Sequence, residues 1–150
     1  MRLPRRPRQF QQKLQRFGAL GPADRRLVLG AIARLAVARI ELAVMPFEKL
    51  AARLSKRGDR SARDPDPALP GRVGFAVRAA AGNVPFRADC FPQALAARAL
   101  LRRHGYAPTI HLGVERRGGD QLAGHAWLTC GDIVVVGGDD LERYTEVHRF

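Results

Sequence analysis

Two residues of the sequence combine a reactive side chain with a position that can activate it. Cys90 stands at the mouth of a predicted helix that runs from about Phe91 to Arg103. A helix N-terminus carries partial positive charge and free N–H groups, which favour a thiolate over a thiol. A nucleophilic thiol also needs a base, and His125 in the segment "GHAWLT" is the best candidate. The pair predicts cysteine nucleophile chemistry, although a buried structural cysteine and a sheet histidine are the simpler reading of each residue alone.

The base of such a pair is held by a third group, and three aspartates follow the histidine. A two-residue turn at Gly131-Asp132 would pair Cys130 with Ile133 and place His125 opposite Gly138. Asp132 would then sit at the turn, about 20 Å from the imidazole at roughly 3.3 Å per residue. The register therefore favours the other two candidates, Asp139 and Asp140.

The remaining cysteine and histidines offer little chemistry. Cys130 ends a predicted strand and is interpreted as structural. A zinc site built from Cys90, Cys130 and His125 lacks any recognised ligand spacing, so we predict no metal. The other histidines are interpreted as a helix C-terminal cation, a surface strand residue and a tail residue, which are His104, His111 and His148 in that order.

The elements that must position these residues are helices first and strands afterwards. Apolar residues at helical spacing run from Pro22 to about Val44, from Phe47 to just before Gly58, and again from Val73 to Gly82. The alternating segments "PTIHLGVERR", "LAGHAWLTC" and "IVVVGG" then predict three strands of an antiparallel meander. This order indicates an α+β fold. We divide the chain into a basic helical region (1–57), a linker or loop (58–71) and an α+β core (72–150).

The composition indicates which classes of partner the chain could bind and in which compartment it works. The 150 residues carry 26 Lys and Arg against 14 Asp and Glu, a net charge of +12, which suits an acidic peptide, an anionic membrane or nucleic acid. No aromatic stacking patch or helix-turn-helix pattern supports nucleic acid, so we do not expect it. The start lacks the apolar core of a signal peptide, and two cysteines cannot form a disulfide scaffold, so we expect a cytoplasmic protein.

The most apolar helix carries charges, which argues against a membrane span. The segment "LVLGAIARLAVARIELAVMPF" contains Arg34, Arg39 and Glu41, whereas a spanning helix needs about 18 or more uninterrupted apolar residues. Contact with a membrane surface stays open. We interpret the N-terminal helices as docking elements, because they carry arginine clusters and no catalytic residue types.

The combined motifs resemble a known family. The segments "CFPQALAARALLRRHGYAPTIHLGVERRGG" and "LAGHAWLTCGDIVVVGG" are similar to the leader peptidases of lasso-peptide biosynthesis, the microcin-J-type processing proteins. These belong to the transglutaminase-like cysteine proteases. The matching pieces keep their order and spacing from residue 73 to 150, and are Cys90 with Ala94-Leu95, Leu100-Leu101 with Gly105, "HLGV" and "HAW". The helical stretch from Leu20 to Leu50 also resembles the lead-in of family members.

The resemblance implies a role, a fold and partners. It implies a transglutaminase/papain-like core and hydrolysis of the bond between leader and core of a ribosomally made precursor peptide, with no cofactor. The expected partners are the precursor, a separate leader-recognition protein acting in trans, and an ATP-dependent macrolactam cyclase. Phe86 stands where many relatives carry Trp, which questions any role for an indole N–H in the oxyanion site.

The resemblance also guides the choice of the third residue. Relatives place it at the position of Gly137, so a bulge at Gly137-Gly138 would be needed to deliver a carboxylate here. We choose Asp139 on this basis, with Asp140 second. The alternatives to the leader peptidase are a related peptidase or acyltransferase of another modified-peptide pathway, and a basic nucleic-acid-binding protein.

Overall fold

The computed structural model describes residues 17–56, 65–118 and 120–150. Within these ranges four complete helices come first, followed by four strands with one short 3-10 helix before the last strand. The helices are α1 (Pro22–Val44), α2 (Phe47–Ser55), α3 (Leu69–Ala81) and α4 (Cys90–Arg103). The strands are β1 (Thr109–Arg116), β2 (Leu122–Cys130), β3 (Ile133–Val136) and β4 (Thr145–Arg149), and the 3-10 helix spans Leu141–Arg143. The predicted α+β class is confirmed.

Helix α1 has the bounds that its terminal residues predict. Pro22 occupies the first turn, where its missing N–H costs no hydrogen bond. Pro46 disfavours the helical conformation for the residue before it, and Met45 is accordingly extended. Its charged residues interrupt its apolar sequence, and none of the described helices is long and apolar enough to cross a membrane.

Helix α3 begins earlier than predicted. Its first residue is Leu69, so residues 69–71 of the predicted linker are helical, and Leu69 and Pro70 are buried. Residues 57–64 of that linker lie outside the described ranges. The helix packs closely on β3, since the Arg78 guanidinium donates to the Val135 carbonyl oxygen at 2.8 Å.

The sheet has the strand order β3-β2-β1-β4, with all neighbours antiparallel. The first three strands form the predicted meander. The fourth strand was not predicted, because His148 and its neighbours were interpreted as a tail. Since β4 returns to lie beside β1, the four strands have the order of a Greek key.

The register between β2 and β3 agrees with the prediction only near the turn. Cys130 pairs with Ile133 and Thr129 with Val134, as predicted. The register then shifts, and Leu128 pairs with Val136. The irregularity therefore lies within β3, earlier than the bulge expected at Gly137-Gly138, and β3 ends at Val136.

The two faces of the sheet have different surroundings. Ile110, Ala126 and Leu128 belong to the same buried core as helices α1, α3 and α4. Because side chains alternate along a strand, His125 and Trp127 lie on the opposite face. The segment that joins β3 to β4 approaches this second face, where Tyr144 stacks on His125.

Candidate active site

Cys90 is the first residue of α4, as the sequence predicts. Asp89 precedes it but forms no side-chain hydrogen bond to the helix. Among the hydrogen bonds of the described residues, none uses the backbone N–H of Cys90 or Phe91. The thiol is half-buried and packs against the core. It therefore stands beside free donors at the positive end of the helix, where a negative charge is stabilised.

His125 lies in the middle of β2, opposite Gly113 of β1. Its ring stacks on Tyr144, at 4.6 Å between ring centroids, and on Trp127, at 6.1 Å. Gly113 makes this arrangement possible, because a Cβ there would be 2.8 Å from Cζ3 of Trp127 and 3.1 Å from Cβ of Tyr144. The imidazole therefore packs against two aromatic side chains.

A backbone carbonyl fixes the tautomer of this imidazole. Nε2 of His125 lies 2.8 Å from the carbonyl oxygen of Gly137. A carbonyl only accepts, so Nε2 carries the proton and donates, and Nδ1 of the neutral ring keeps its lone pair. Nδ1 is therefore the nitrogen that can take a proton from a thiol.

Gly137 supplies this carbonyl because no other residue fits its position. Its φ is +76°, in the left-handed region, and a Cβ would lie 2.5 Å from the carbonyl oxygen of Ala126. The side-chain pattern of the sequence indicates a carboxylate at this point and does not predict this backbone acceptor. The pair Gly137-Gly138 at the end of a strand was the available signal.

The three aspartates considered from the sequence are all exposed. Asp132 lies at the turn between β2 and β3, as expected. Asp140 adopts φ +53° and lies 3.7 Å from the Arg143 guanidinium. The carboxylate of Asp139 forms no hydrogen bond or ion pair with any described residue. Its role as the orienting group stays a prediction.

No hydrogen bond between the Cys90 thiol and the His125 imidazole is found within the described residues. Strand β3 pairs only with the part of β2 from Leu128 to Cys130. Next to Ala126 and Trp127, the chain at Gly137 follows β3 along this side of β2, and the Gly137 carbonyl oxygen accepts from Nε2 of His125.

His111 differs from its interpretation as a surface residue. Its side chain is only 12% exposed, and its ring stacks on Trp127 at 5.2 Å. Nδ1 lies 2.9 Å from Glu146 of β4 and Nε2 2.9 Å from the Thr129 hydroxyl. The interpretation was wrong because β4, which supplies Glu146, was not predicted.

The other candidate groups occupy peripheral positions. His104 follows the last turn of α4, as predicted, and His148 lies on the exposed strand β4. Cys130 is half-buried, and this burial raises the pKa of its thiol. The described residues contain no cluster of three or more Cys, His, Asp or Glu that could hold a metal ion.

The comparison with known families agrees with this architecture. Residues 31–149 match the family model of the transglutaminase-like superfamily, and the chain belongs to that superfamily. Its members are typically cysteine peptidases and transglutaminases. Neither the curated proteins nor the solved structures include a match to this chain.

Proposed function

We propose that the chain is a cysteine peptidase that removes the leader from a lasso-peptide precursor before macrolactam cyclisation. The observation that carries the proposal is the His125 ring, whose Nε2 is held by the Gly137 carbonyl so that Nδ1 is free to act as a base. Membership of the transglutaminase-like superfamily supports a cysteine enzyme. The motif resemblance around Cys90 and His125 supports the particular substrate.

In the proposed reaction, Cys90 is the nucleophile and His125 is the general base and then the general acid. Nδ1 of His125 takes the proton of Cys90, and the thiolate attacks the last carbonyl carbon of the leader. The unused N–H groups at the start of α4 stabilise the oxyanion of the tetrahedral intermediate. The imidazolium then protonates the leaving amine of the core peptide, and water hydrolyses the acyl-enzyme.

This reaction requires the thiol and imidazole to approach one another. Catalytic hydrogen bonds are often long before substrate binds and shorten in the complex. We therefore propose that precursor binding closes the Cys90–His125 distance.

The proposed partners follow from the same family resemblance. A separate recognition protein would present the leader in trans, and an ATP-dependent cyclase would use the freed core amine to close the macrolactam. The net charge of +12 is compatible with an acidic precursor segment.

The decisive experiment is incubation of the protein with precursor and recognition protein, followed by mass spectrometry for free leader. Cys90→Ala should reduce leader release by at least about a thousandfold, since no other thiol stands at the helix mouth. Cys130→Ala is the matched control and should keep activity within a few-fold. Equal loss in both variants, or release by Cys90→Ala at the original rate, would refute the assignment.

The same assay separates hydrolysis from acyl transfer. Hydrolysis gives a leader with a free carboxylate, whereas an acyltransferase gives a leader joined to an added amine, and the two differ in mass. If the amide product predominated, the activity would be that of a transglutaminase and not that of a peptidase.

The orienting residue needs its own comparison. We retain Asp139 as the proposed third member, whose carboxylate would replace the Gly137 carbonyl as the acceptor of the Nε2 proton when the precursor binds. A large loss of leader release confined to Asp139→Asn, relative to Asp132→Asn and Asp140→Asn, is the expected result. Unchanged activity in all three would leave the Gly137 carbonyl as the orienting group.

A further inference from the structure

A cleft among α1, α2 and α4 contains more positive than negative charge. Its volume is about 60 Å³, enough for a few waters or one small polar group. Its charged lining consists of Arg34, Arg53, Arg98 and Glu41. Glu41 is bonded to Arg53 at 2.7 Å, while Arg34 forms no ion pair with any described residue. Two of its guanidinium groups, those of Arg34 and Arg98, therefore have no carboxylate partner among the described residues.

Arg98 lacks a partner for part of its guanidinium. One of its terminal nitrogens donates to the Leu54 carbonyl oxygen, but Nε is buried and has no hydrogen-bond partner in the described chain. Burial, followed by repulsion from Arg102 and Arg53, lowers the pKa of Arg98 to about 10. A buried donor without an acceptor is costly, and so is a cation among other cations. An anion in the cleft would offset the repulsion among the cations that line it.

We propose that this cleft binds the carboxylate of an acidic side chain on a peptide partner. Guanidinium groups bind carboxylates and phosphates through paired N–H donors, so the charges alone fit either. The rest of the lining is apolar and includes Val37, Ala38 and Leu95. The methylene groups of a glutamate can pack against these side chains, whereas a bare phosphate has no apolar part to bury.

The inference concerns binding and is independent of the proposed peptidase activity, so the two can fail separately. It is tested by titrating the full chain with a short blocked peptide that contains one Glu, while the Nε–Hε signals of the arginines are followed by NMR. The signal of Arg98 should shift to saturation. The same peptide with Gln should give no saturable shift.

Two variants locate the site. Arg34→Gln should weaken the binding of the Glu peptide by roughly tenfold, which is the effect of losing one charge-assisted hydrogen bond. Arg103→Gln removes an exposed charge from the end of the same helix, α4, and should change the affinity less than about twofold. Equal weakening in both variants would show unspecific attraction to the net charge and overturn the site.

Inorganic phosphate distinguishes the source of the oxyanion. Saturation by phosphate without saturation by the Glu peptide would overturn the peptide assignment, as would equal shifts with the Glu and Gln peptides. These two measurements use the unmodified chain, so they decide the proposal even if Arg34→Gln does not fold.

Discussion

At the scale of single residues, the site depends on a backbone position that only glycine can occupy. The carbonyl of Gly137 holds Nε2 of His125 because the chain turns there with φ +76°, directly over Ala126 and Trp127. The imidazole is thus oriented by a backbone carbonyl, and the rings of Trp127 and Tyr144 stack against it.

Gly137→Ala should therefore damage both stability and the site. The added Cβ would be 2.5 Å from the Ala126 carbonyl oxygen, so the chain must shift and withdraw its carbonyl from His125. We expect a loss of about 3 kcal/mol in the free energy of unfolding, from strain and overpacking together. The imidazole signals of His125 in NMR should lose their single-tautomer pattern.

Gly131→Ala is the matched control for this substitution. Gly131 also has positive φ, +59°, but nothing lies within 4 Å of its absent Cβ. Gly131→Ala should lower the free energy of unfolding by only about 1 kcal/mol and leave the NMR signals of His125 unchanged. If the two variants lost equal stability and His125 kept its tautomer in both, the close approach at Gly137 would not be what orients the ring.

At the scale of elements, helix α3 sets the position of β3 through one close contact. Gly74 lies so near the strand that a Cβ would be 2.2 Å from the Val135 carbonyl oxygen, the same atom that accepts from Arg78. Because β3 leads directly to Gly137, the placement of this strand also determines where the carbonyl meets the imidazole.

Gly74→Ala should separate α3 from β3 and destabilise the protein by about 2 kcal/mol or more, measured by urea unfolding. Gly71→Ala is the control in the same helix, where nothing lies within 4 Å of the absent Cβ. There the better helix propensity of alanine should stabilise the protein by up to about 1 kcal/mol. Effects of the same sign in both variants would contradict the close helix–strand packing.

Strand β4 is anchored by the hydrogen bond between Glu146 and His111. The hydrogen bond to His111 is the largest effect on Glu146, and it lowers the pKa of this carboxyl below the ordinary 4.5. A carboxyl with a lowered folded-state pKa stabilises the fold above its unfolded-state pKa, and this contribution is lost as pH falls through the folded-state value.

Glu146→Gln should consequently make β4 exchange its amide hydrogens faster at pH 7, at a stability cost under about 1 kcal/mol. As the pH falls from 4.5 through the lowered folded-state pKa of Glu146, the variant and the original protein should converge, since the carboxylate of the folded protein is then protonated. Glu142→Gln, in the exposed 3-10 helix, is the control. A constant difference between the Glu146 variant and the original protein down to pH 2 would contradict the role of its charge.

The elements differ in how far the sequence predicts them. The bounds of strands β1 and β2 agree with the prediction to within one residue because part of each strand contacts the core, although three consecutive residues of β2, Ala126–Leu128, are buried. The residues of β4 are all exposed, so no alternation marks them, and the strand exists through its pairing with β1. The run "IVVV" likewise gives no sign of where its register with β2 shifts.

The groups of the candidate site also differ in how far the sequence predicts them. Cys90 is recognisable because a helix start is visible in the sequence, and His125 because it lies within a regular strand. The Gly137 carbonyl is a backbone atom, and its position depends on a register shift and a left-handed φ that side-chain patterns do not encode.

At the scale of the whole molecule, α1 is part of the core that supports the site. Leu35 is fully buried in the cluster that also contains residues of α3, α4 and the sheet. The superfamily match likewise begins at residue 31, within this helix. The opposite side of α1 is also apolar and exposed, with Leu29, Ile40 and Val44. Because both sides are apolar, the sequence alone did not show which one faces the core.

The last prediction compares a substitution on the buried side of α1 with one on its exposed side. Leu35→Ala removes a fully buried side chain and should cost about 3 kcal/mol, whereas Ile40→Ala, at a position 61% exposed, should change stability by less than about 0.5 kcal/mol. Alanine suits a helix in both cases, so the difference measures burial. If α1 shares one core with the site, the fluorescence of Trp127 in the sheet should report the Leu35→Ala loss at the same urea concentration as the helical circular dichroism signal. If Leu35→Ala lowered the urea midpoint of the circular dichroism signal but not that of the Trp127 fluorescence, the N-terminal helices would unfold independently of the sheet.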